Sequence, residues 1–206
     1  MTQVDAVQGK FVTSRKRSIN RTAIALLAST ALVFPHSLVA GELPTGANIQ
    51  AGGASIDVTG NLMTVTQGTD RSIINWNSFS VGAGNTVNFI QPGVTSAILN
   101  RVTGATPSTI AGTVTGNGQV VLVNPNGIAI TPTGTVNIGG GFIASTLDIA
   151  NEDFLNGSLN FAGDGASKSV SNEGIITVGR GGYAALLGGT VRNDGLIAAP
   201  MGKIGL

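Results

Sequence analysis

The sequence predicts an all-β chain wound as a β-solenoid, and three observations support this fold class. Residues 41–206 consist largely of short runs of Val, Ile, Thr and Phe that Gly or Asn interrupts. Little of this region shows the apolar period of an amphipathic helix. A seven-residue pattern also recurs at an offset of 21 residues, and a period of this length with turn residues at fixed places is typical of stacked coils.

The individual strands are predicted from the alternation of apolar and polar side chains. Ser55–Val58 and Leu62–Val65 form two such strands, with a Thr-Gly-Asn turn between them. In a further strand, Ile74 and Trp76 point to one face and the neighbouring Asn side chains point to the other. Val120–Val123 is a continuous apolar run, which predicts a strand buried on both faces or a packed corner.

The internal repeat predicts how the coils stack. Val170–Ile176 aligns with Val191–Ile197, because Asn, an acidic residue, Gly and an apolar pair recur in register. Asn126–Ile130 carries a similar Asn-Gly-apolar core, and Gly141-Phe142 is expected to correspond to Gly182-Tyr183. Since each coil needs its neighbours to cover its apolar face, residues 41–206 are expected to make about eight coils.

The N-terminal segment has the three regions of a secretory signal peptide. Five basic residues precede an uncharged apolar run at Ala23–Phe34, Pro35 ends this run, and Ser37–Ala40 supplies a small residue just before Gly41. The run is too short to span a bilayer, which takes about 20 residues. Residues 1–40 are therefore predicted to be a Sec-type signal peptide, with a buried N-terminal helix as the alternative.

The composition of residues 41–206 excludes several classes of protein. These residues include 6 basic and 9 acidic side chains, a net charge of −3, so they lack the basic footprint of a nucleic-acid-binding protein. The chain has no Cys, and its single His, His36, lies in the predicted leader. A disulfide framework, a Cys-ligated zinc site and a His-based triad are therefore excluded. We expect no nucleic-acid partner, no metal and no cofactor.

The C-terminal residues Met201–Leu206 lack the charged or helical cap that closes a solenoid. An uncovered sheet edge invites pairing with further strands. Residues 151–206 are therefore expected to be the first repeats of a continuing β-helix, of which this chain would be a truncated part.

Asn124, Pro125, Asn126 and Gly127 form the sharpest local motif. Pro125 presets its own φ, and the Asn124 side chain is expected to fold onto the backbone two residues on. Asn126 and Gly127 are expected to take the remaining special dihedral angles. On these residues alone, the motif predicts a tight turn between two buried strands.

The wider region from Ile74 to Ile149 resembles a known family. It contains, in this order, the blocks NWNSFSVGAGNTVNF, AILNRV, STIAGTV, NGQVVLVNPNGIAI and GGFIASTLDI. Behind a leader, these blocks resemble the haemagglutination-activity or two-partner-secretion (TPS) domain of filamentous-haemagglutinin-like exoproteins. The resemblance assigns residues 41–150 to that domain.

The resemblance implies a right-handed parallel β-helix with an N-terminal β cap. It also implies that Asn124–Gly127 is the family's secretion motif. The family's upstream Asn motif is replaced here by Asn100-Arg101-Val102. Asn100 and Arg101 are therefore further candidate secretion residues.

The resemblance further implies export to the medium or the cell surface of a Gram-negative bacterium. The expected partner is an Omp85-family outer-membrane transporter of the TpsB type, whose periplasmic domains recognise the TPS domain. Coils that fold outside the cell would oppose back-sliding, because each one buries apolar surface at about 25 cal/mol per Å². The predicted function is therefore a non-enzymatic secretion module that nucleates β-helix folding.

Two other functions stay open at this point. One is an adhesin that binds a host-cell or neighbouring-cell surface, and a more remote one is a polysaccharide-degrading β-helix enzyme. Such enzymes need clustered carboxylates, but only Glu152 and Asp153 are adjacent here, in a predicted solvated loop. Thr-x-Thr pairs begin at Thr64, Thr113 and Thr131 without a fixed spacing, which argues against the regular Thr ladder of an ice-binding solenoid.

Four single residues have specific predictions. Trp76 is expected to pack in the core or the cap rather than contact a partner. Arg101 is expected either to pair with a carboxylate inside the fold or to face the transporter. Phe142 and Tyr183, each following a Gly, are expected to stack along the solenoid rather than bind sugar.

Overall fold

The computed structural model describes residues 42–163 and 168–206, and the predicted signal peptide lies outside them. The described residues form three main sheets. Sheet I contains β1 (Asn48–Ala51), β4 (Arg71–Trp76), β6 (Ala97–Val102), β9 (Gln119–Val123), β12 (Gly141–Ser145), β17 (Tyr183–Leu187) and β20 (Lys203–Gly205), in that order. Sheet II contains β2 (Ala54–Thr59), β3 (Leu62–Gln67), β5 (Thr86–Ile90), β8 (Thr113–Gly116), β11 (Thr135–Ile138), β16 (Ile175–Val178) and β19 (Leu196–Ala198). Sheet III contains β7 (Ser108–Ile110), β10 (Ile128–Ile130), β15 (Ser169–Asn172) and β18 (Thr190–Asn193).

The chain visits the sheets in rotation, and strands of successive coils pair in parallel. The predicted β-solenoid is therefore confirmed. In sheet I, the strands from β4 to β20 mark six coils within the described residues. The expectation of about eight coils is wrong, because an N-terminal cap and a segment outside the coil path use part of the chain.

The N-terminal end is closed by antiparallel strands. β1 pairs antiparallel with β4, and β2 pairs antiparallel with β3 through a tight turn at Gly60, whose φ is +60°. The next neighbours, β3 with β5 and β4 with β6, are already parallel. This arrangement is the β cap that the family resemblance implied.

Residues 148–162 leave the coil path between β12 and β15, and we call them the excursion. It contains β13 (Asp148–Ile149), the short helix α1 (Asn151–Leu155) and β14 (Phe161–Ala162), and β13 pairs antiparallel with β14. Glu152 and Asp153 lie in the first turn of α1 and not in the predicted loop. Carboxylates are favourable there because they face the unpaired N–H groups of the helix start.

The 21-residue repeat is confirmed by the strand register. Val170 pairs with Val191 in sheet III, and Ile175 pairs with Leu196 in sheet II. The buried Asn172 amide donates to Asn193 Oδ1 at 2.8 Å across the same step. A coil step without an insertion therefore repeats visibly in the sequence.

Two other predicted alignments are wrong. Tyr183 pairs with Gly141, whereas Phe142 pairs with Ala184, so Phe142 and Tyr183 point to opposite faces of sheet I and do not stack. The Tyr183 ring instead covers the backbone of Gly141, where a Cβ would lie 2.6 Å from the ring. Asn126 precedes β10, while Asn172 ends β15, so these two Asn residues occupy different corners of their coils.

The interior is filled by aliphatic and aromatic side chains from all three sheets. Trp76 is 1% exposed and meets Phe79 edge to face at 5.6 Å, which confirms its predicted place in the packing. Val120 and Leu122 belong to this interior core, whereas Val121 and Val123 belong to a second apolar cluster on the outer face of sheet I. The strand over Val120–Val123 is thus buried on both faces, as predicted.

Candidate functional site

The Asn-Pro-Asn-Gly motif forms the corner between β9 and β10. The Gly127 amide donates to Asn124 O at 3.1 Å, which closes a four-residue turn. Within the described residues, positive φ is confined to several Gly residues and Met201; Gly127 has φ +115°. The expectation that Asn126 also takes a special dihedral angle is therefore wrong, because Gly127 alone supplies the unusual backbone angle of this turn.

The Asn124 side chain organises the turn from inside. It is 0% exposed, and its Oδ1 accepts hydrogen bonds from Asn126 N at 2.9 Å and Asn126 Nδ2 at 3.0 Å. The contact with the backbone two residues on is the interaction predicted from the sequence. Because a buried amide costs free energy unless both of its ends are paired, this side chain fixes the turn.

The same turn is bonded to the coil before it and the coil after it. Asn124 Nδ2 donates to Thr106 O at 3.0 Å and to Ser108 Oγ at 2.9 Å, both in the preceding coil. Asn126 Nδ2 donates to Gly104 O at 2.8 Å. On the other side, Asn124 N donates to Ser145 O of the following coil at 2.9 Å. The motif therefore joins three successive coils at one corner.

Asn100 has a similar bridging role in the interior. It is 0% exposed, its Oδ1 accepts from Trp76 Nε1 at 3.0 Å, and its Nδ2 donates to Val121 O at 3.4 Å. These contacts join β4, β6 and β9. Among the described residues, no buried side-chain nitrogen or oxygen is left without a partner.

Arg101 points the other way, to the outer face of sheet I. Its Nε lies 2.8 Å from Asp148 Oδ1, its Nη1 donates to Asn151 Oδ1 at 2.7 Å, and its Nη2 donates to Ile149 O at 2.5 Å. The Arg101 side chain is 13% exposed and that of Asp148 is 59% exposed. Of its two predicted roles, the structure therefore places Arg101 in a carboxylate pair.

The six candidate residues thus lie in adjacent coils but on different surfaces. Arg101 is the register partner of Val123, which directly precedes Asn124. Asn100 and Asn124 point inward, Arg101 holds the excursion, and Pro125 is the exposed member of the turn. The arrangement is a set of inter-coil links.

In the described part of the chain, no ligand set that could hold a metal ion is assembled. No three side chains of the His, Cys, Asp and Glu types come together there. In those same residues no helix is long and apolar enough to span a membrane.

Tyr183 is a titratable group whose surroundings change its pKa. Burial raises the pKa of the Tyr183 phenol above its ordinary 10.0, while the nearby Arg71 acts in the opposite direction. The Tyr183 hydroxyl donates to Gln119 Oε1 at 2.9 Å.

The sequence reasoning missed one regular surface. On sheet II, Thr86, Thr113 and Thr135 pair in register, and so do Asn88, Thr115, Asn137 and Thr177. The expectation of no regular Thr ladder holds, because the Thr-x-Thr pairs do not stack on one another: Thr64 pairs with Asn88, and Asn takes two positions of the second column. These columns do not appear as a fixed spacing in the sequence, because the coils differ in length. Asn88 and Thr115 are 27 residues apart, whereas Asn172 and Asn193 are 21 residues apart.

Comparison with known proteins identifies what this arrangement is similar to. A family model described as the TPS secretion domain matches residues 38–206. The crystal structure of the HMW1 secretion domain from Haemophilus influenzae matches with a TM-score of 0.71 at 38% identity. That match covers 75% of this chain and 41% of the crystallised one.

Two curated relatives are both described as heme/hemopexin-binding proteins of Haemophilus influenzae. One is 40% identical over 126 residues, which is 61% of this chain and 14% of the relative. The other is 37% identical over 117 residues, which is 57% of this chain and 12% of the relative. The chain therefore matches a small part of each relative, and their names describe the much longer proteins.

Proposed function

The chain belongs to the TPS secretion domain family, and from this premise we propose that it is the secretion module of a longer exoprotein. The proposed partner is an outer-membrane transporter of the TpsB type in the Omp85 family. TPS exoproteins are secreted proteins of Gram-negative bacteria, and a TPS domain implies such a transporter in general. The domain is a non-enzymatic module, and the absence of any catalytic activity in this chain stays a prediction.

The burial of Asn124 is the observation that carries the proposed mechanism. A partner that meets the folded module cannot contact a side chain with 0% exposure. The Asn124 and Asn126 amides are instead used to bond the turn to Gly104, Thr106 and Ser108 of the preceding coil. These contacts support a motif that acts during folding, when it fixes the turn between successive coils. The transporter would then bind the chain earlier, while it is still extended.

The strand register supports coil-by-coil folding after passage through the transporter. Each new coil finds a finished sheet edge to pair with, and the cap of β1 and β2 closes the end that emerges first. Each coil also adds apolar side chains to the interior core. Burial at about 25 cal/mol per Å² would thus oppose backward movement of the chain without ATP.

A secretion assay in a Gram-negative host tests the proposal. The tagged chain is expressed with and without a co-expressed TpsB-type transporter, and the medium and the cell surface are assayed for the tag. We expect delivery outside the cell only when the transporter is present. In the control, the same chain is co-expressed with an unrelated outer-membrane porin in place of the TpsB-type transporter.

Two results would contradict the proposal. Equal delivery without the transporter would show that the chain is not exported by this route. Retention in the periplasm of a folded β-helix that binds host-cell or neighbouring-cell glycans would instead favour an adhesin.

A further inference from the structure

The excursion covers an apolar stripe on the outside of the solenoid. Ile73, Leu99, Val121 and Ile143 lie in register on four successive strands of sheet I. All four point away from the interior core and form a second cluster together with Phe154 of α1. An outer sheet face without a cover is normally solvated and polar, so this stripe requires one.

Phe154 is the anchor of that cover. It lies in a helix of five residues outside the coil path, yet it is 0% exposed. Its neighbour Leu155 is 40% exposed. A fully buried aromatic side chain in so short a helix indicates that the excursion is held by its contacts with the stripe, since a helix of this length is unstable alone.

Two arginines from earlier coils hold the two ends of the excursion. Arg71 of β4 donates from Nη1 to Phe154 O at 2.9 Å, and its guanidinium lies 5.4 Å from the centre of the Phe154 ring. Arg101 of β6 binds Asp148, Ile149 and Asn151 through all three of its nitrogens. The Arg71 contact spans 83 residues of sequence and the Arg101–Asn151 contact spans 50.

The order of these residues along the chain predicts that the excursion docks after the strands that it covers. The stripe and both arginines precede the excursion, so a chain that folds from its N-terminus completes β4, β6, β9 and β12 first. The apolar stripe is then exposed until residues 148–162 arrive. Contacts that are absent from the folding transition state change the unfolding rate and leave the folding rate nearly unchanged, so the two rates together report whether the excursion docks last.

We propose that the excursion is a clasp that closes over β4, β6, β9 and β12 of sheet I and blocks the unfolding of these first coils. The proposal rests on the proposed function, because a late lock matters most for a chain that folds as it emerges. In that setting the closed clasp makes the first coils a stable base for the coils that follow.

Unfolding and refolding kinetics of the purified chain test the clasp without any transporter. The single Trp of the chain, Trp76, reports from the first coils, and its fluorescence is followed after jumps into and out of urea. Phe154→Ala is expected to unfold on the order of 100-fold faster. Its refolding rate is expected to stay within about twofold of the wild-type rate.

Two further variants test the Arg101 contacts and provide a control for Phe154→Ala. Arg101→Lys keeps the charge but loses the multiple hydrogen bonds of the guanidinium, and we expect it to unfold about 5- to 10-fold faster. Leu155→Ala, at the exposed neighbouring position, is the matched control and should change neither rate more than about twofold.

Two results would overturn the clasp. One is a Phe154→Ala refolding rate that falls as much as the unfolding rate rises, which would place the excursion in the folding nucleus. The other is a Phe154→Ala unfolding rate equal to that of Leu155→Ala. Because these rates are measured on the isolated chain, a failed secretion assay with normal clasp kinetics would count against the proposed function alone.

Discussion

Asn124 stabilises the corner between β9 and β10 through a single buried side chain. Its amide makes four hydrogen bonds, and its immediate surroundings exclude water. When this amide loses its donors, the Thr106 carbonyl is left unpaired, which costs about 1–3 kcal/mol. The side chain can therefore be tested by a substitution that removes the donors and keeps the shape.

Asn124→Asp makes this change, because it puts a carboxylate oxygen where Nδ2 now donates to Thr106 O and Ser108 Oγ. We expect the free energy of unfolding to fall by about 3 kcal/mol, through lost bonds and a desolvated charge. Urea unfolding followed by Trp76 fluorescence measures it. Asn137→Asp is the control, since Asn137 is exposed, and it should change stability by less than about 0.5 kcal/mol. Equal midpoints for the two variants would contradict the role assigned to Asn124.

Tyr183 gives the structure a pH dependence at the alkaline end. Burial raises the pKa of its phenol in the folded chain, so the folded state favours the neutral form. The stability that this provides is fully present below the unfolded pKa of about 10 and is lost as the pH rises through the raised folded value. Tyr183 is the only tyrosine of the chain, so Tyr183→Phe removes this particular titration.

We expect the free energy of unfolding of the wild type to fall more steeply between pH 9 and pH 12 than that of Tyr183→Phe. The variant is expected to be less stable at pH 8, because Gln119 Oε1 loses its hydrogen-bond donor. Parallel stability curves for the two proteins across this range would show that the phenol is not desolvated as described.

At the residue scale, hydrogen bonds between near neighbours in the sequence were predictable, and contacts between residues far apart in the sequence were not. The turn of Asn124 onto Asn126 follows from short-range preferences of Asn and Pro, and it is present. The predicted stacking of Phe142 on Tyr183 is wrong because the predicted alignment was shifted by one residue: Tyr183 pairs with Gly141. A shift of one position in a strand turns a side chain to the opposite face of the sheet. The binding of Arg101 to the excursion depends on contacts 47 residues away that no local pattern encodes.

At the scale of elements, the corner between β9 and β10 depends on one backbone angle. Gly127 has φ +115°, and a Cβ added there would meet its nearest atom at 3.4 Å. There is thus space for a methyl group, and the penalty for one comes from the backbone angle.

Gly127→Ala is therefore expected to lower the free energy of unfolding by about 1–3 kcal/mol. Gly53→Ala is the matched control, because its φ is not positive and its Cβ would have only ordinary contacts at 3.7 Å. Thermal or urea unfolding of both variants gives the comparison. If the two substitutions prove equally mild, the turn tolerates another backbone angle and does not fix the corner.

The elements also show why the number of coils was overestimated. A constant period holds where one coil follows another directly, as between Asn172 and Asn193, which are 21 residues apart. The period lengthens to 27 residues between Asn88 and Thr115, where the corner near Gln91 takes more chain. Composition predicts strands and turns, but the length of each corner depends on packing, such as the Gln91 amide that bonds Gln67 Oε1, Ser96 O and Gln119 O.

At the scale of the whole molecule, the fold is a one-dimensional stack in which each coil depends on its neighbours. Such a stack suits a chain that crosses a membrane extended and folds from its first coil. The absence of Cys from the sequence is consistent with this route, because no disulfide loop can form before passage.

The central claim, that the chain crosses the outer membrane before it folds, is tested most directly by a disulfide loop. Asn137 and Thr177 are register partners on neighbouring parallel strands of sheet II, close enough for a disulfide when both are changed to Cys. The double variant Asn137→Cys/Thr177→Cys is co-expressed with the transporter, with and without reductant, and the two single variants are the controls. We expect the oxidised double variant to stay in the periplasm while the reduced form and both single variants reach the medium. Oxidised chain in the medium at the level of the single variants would contradict the claim.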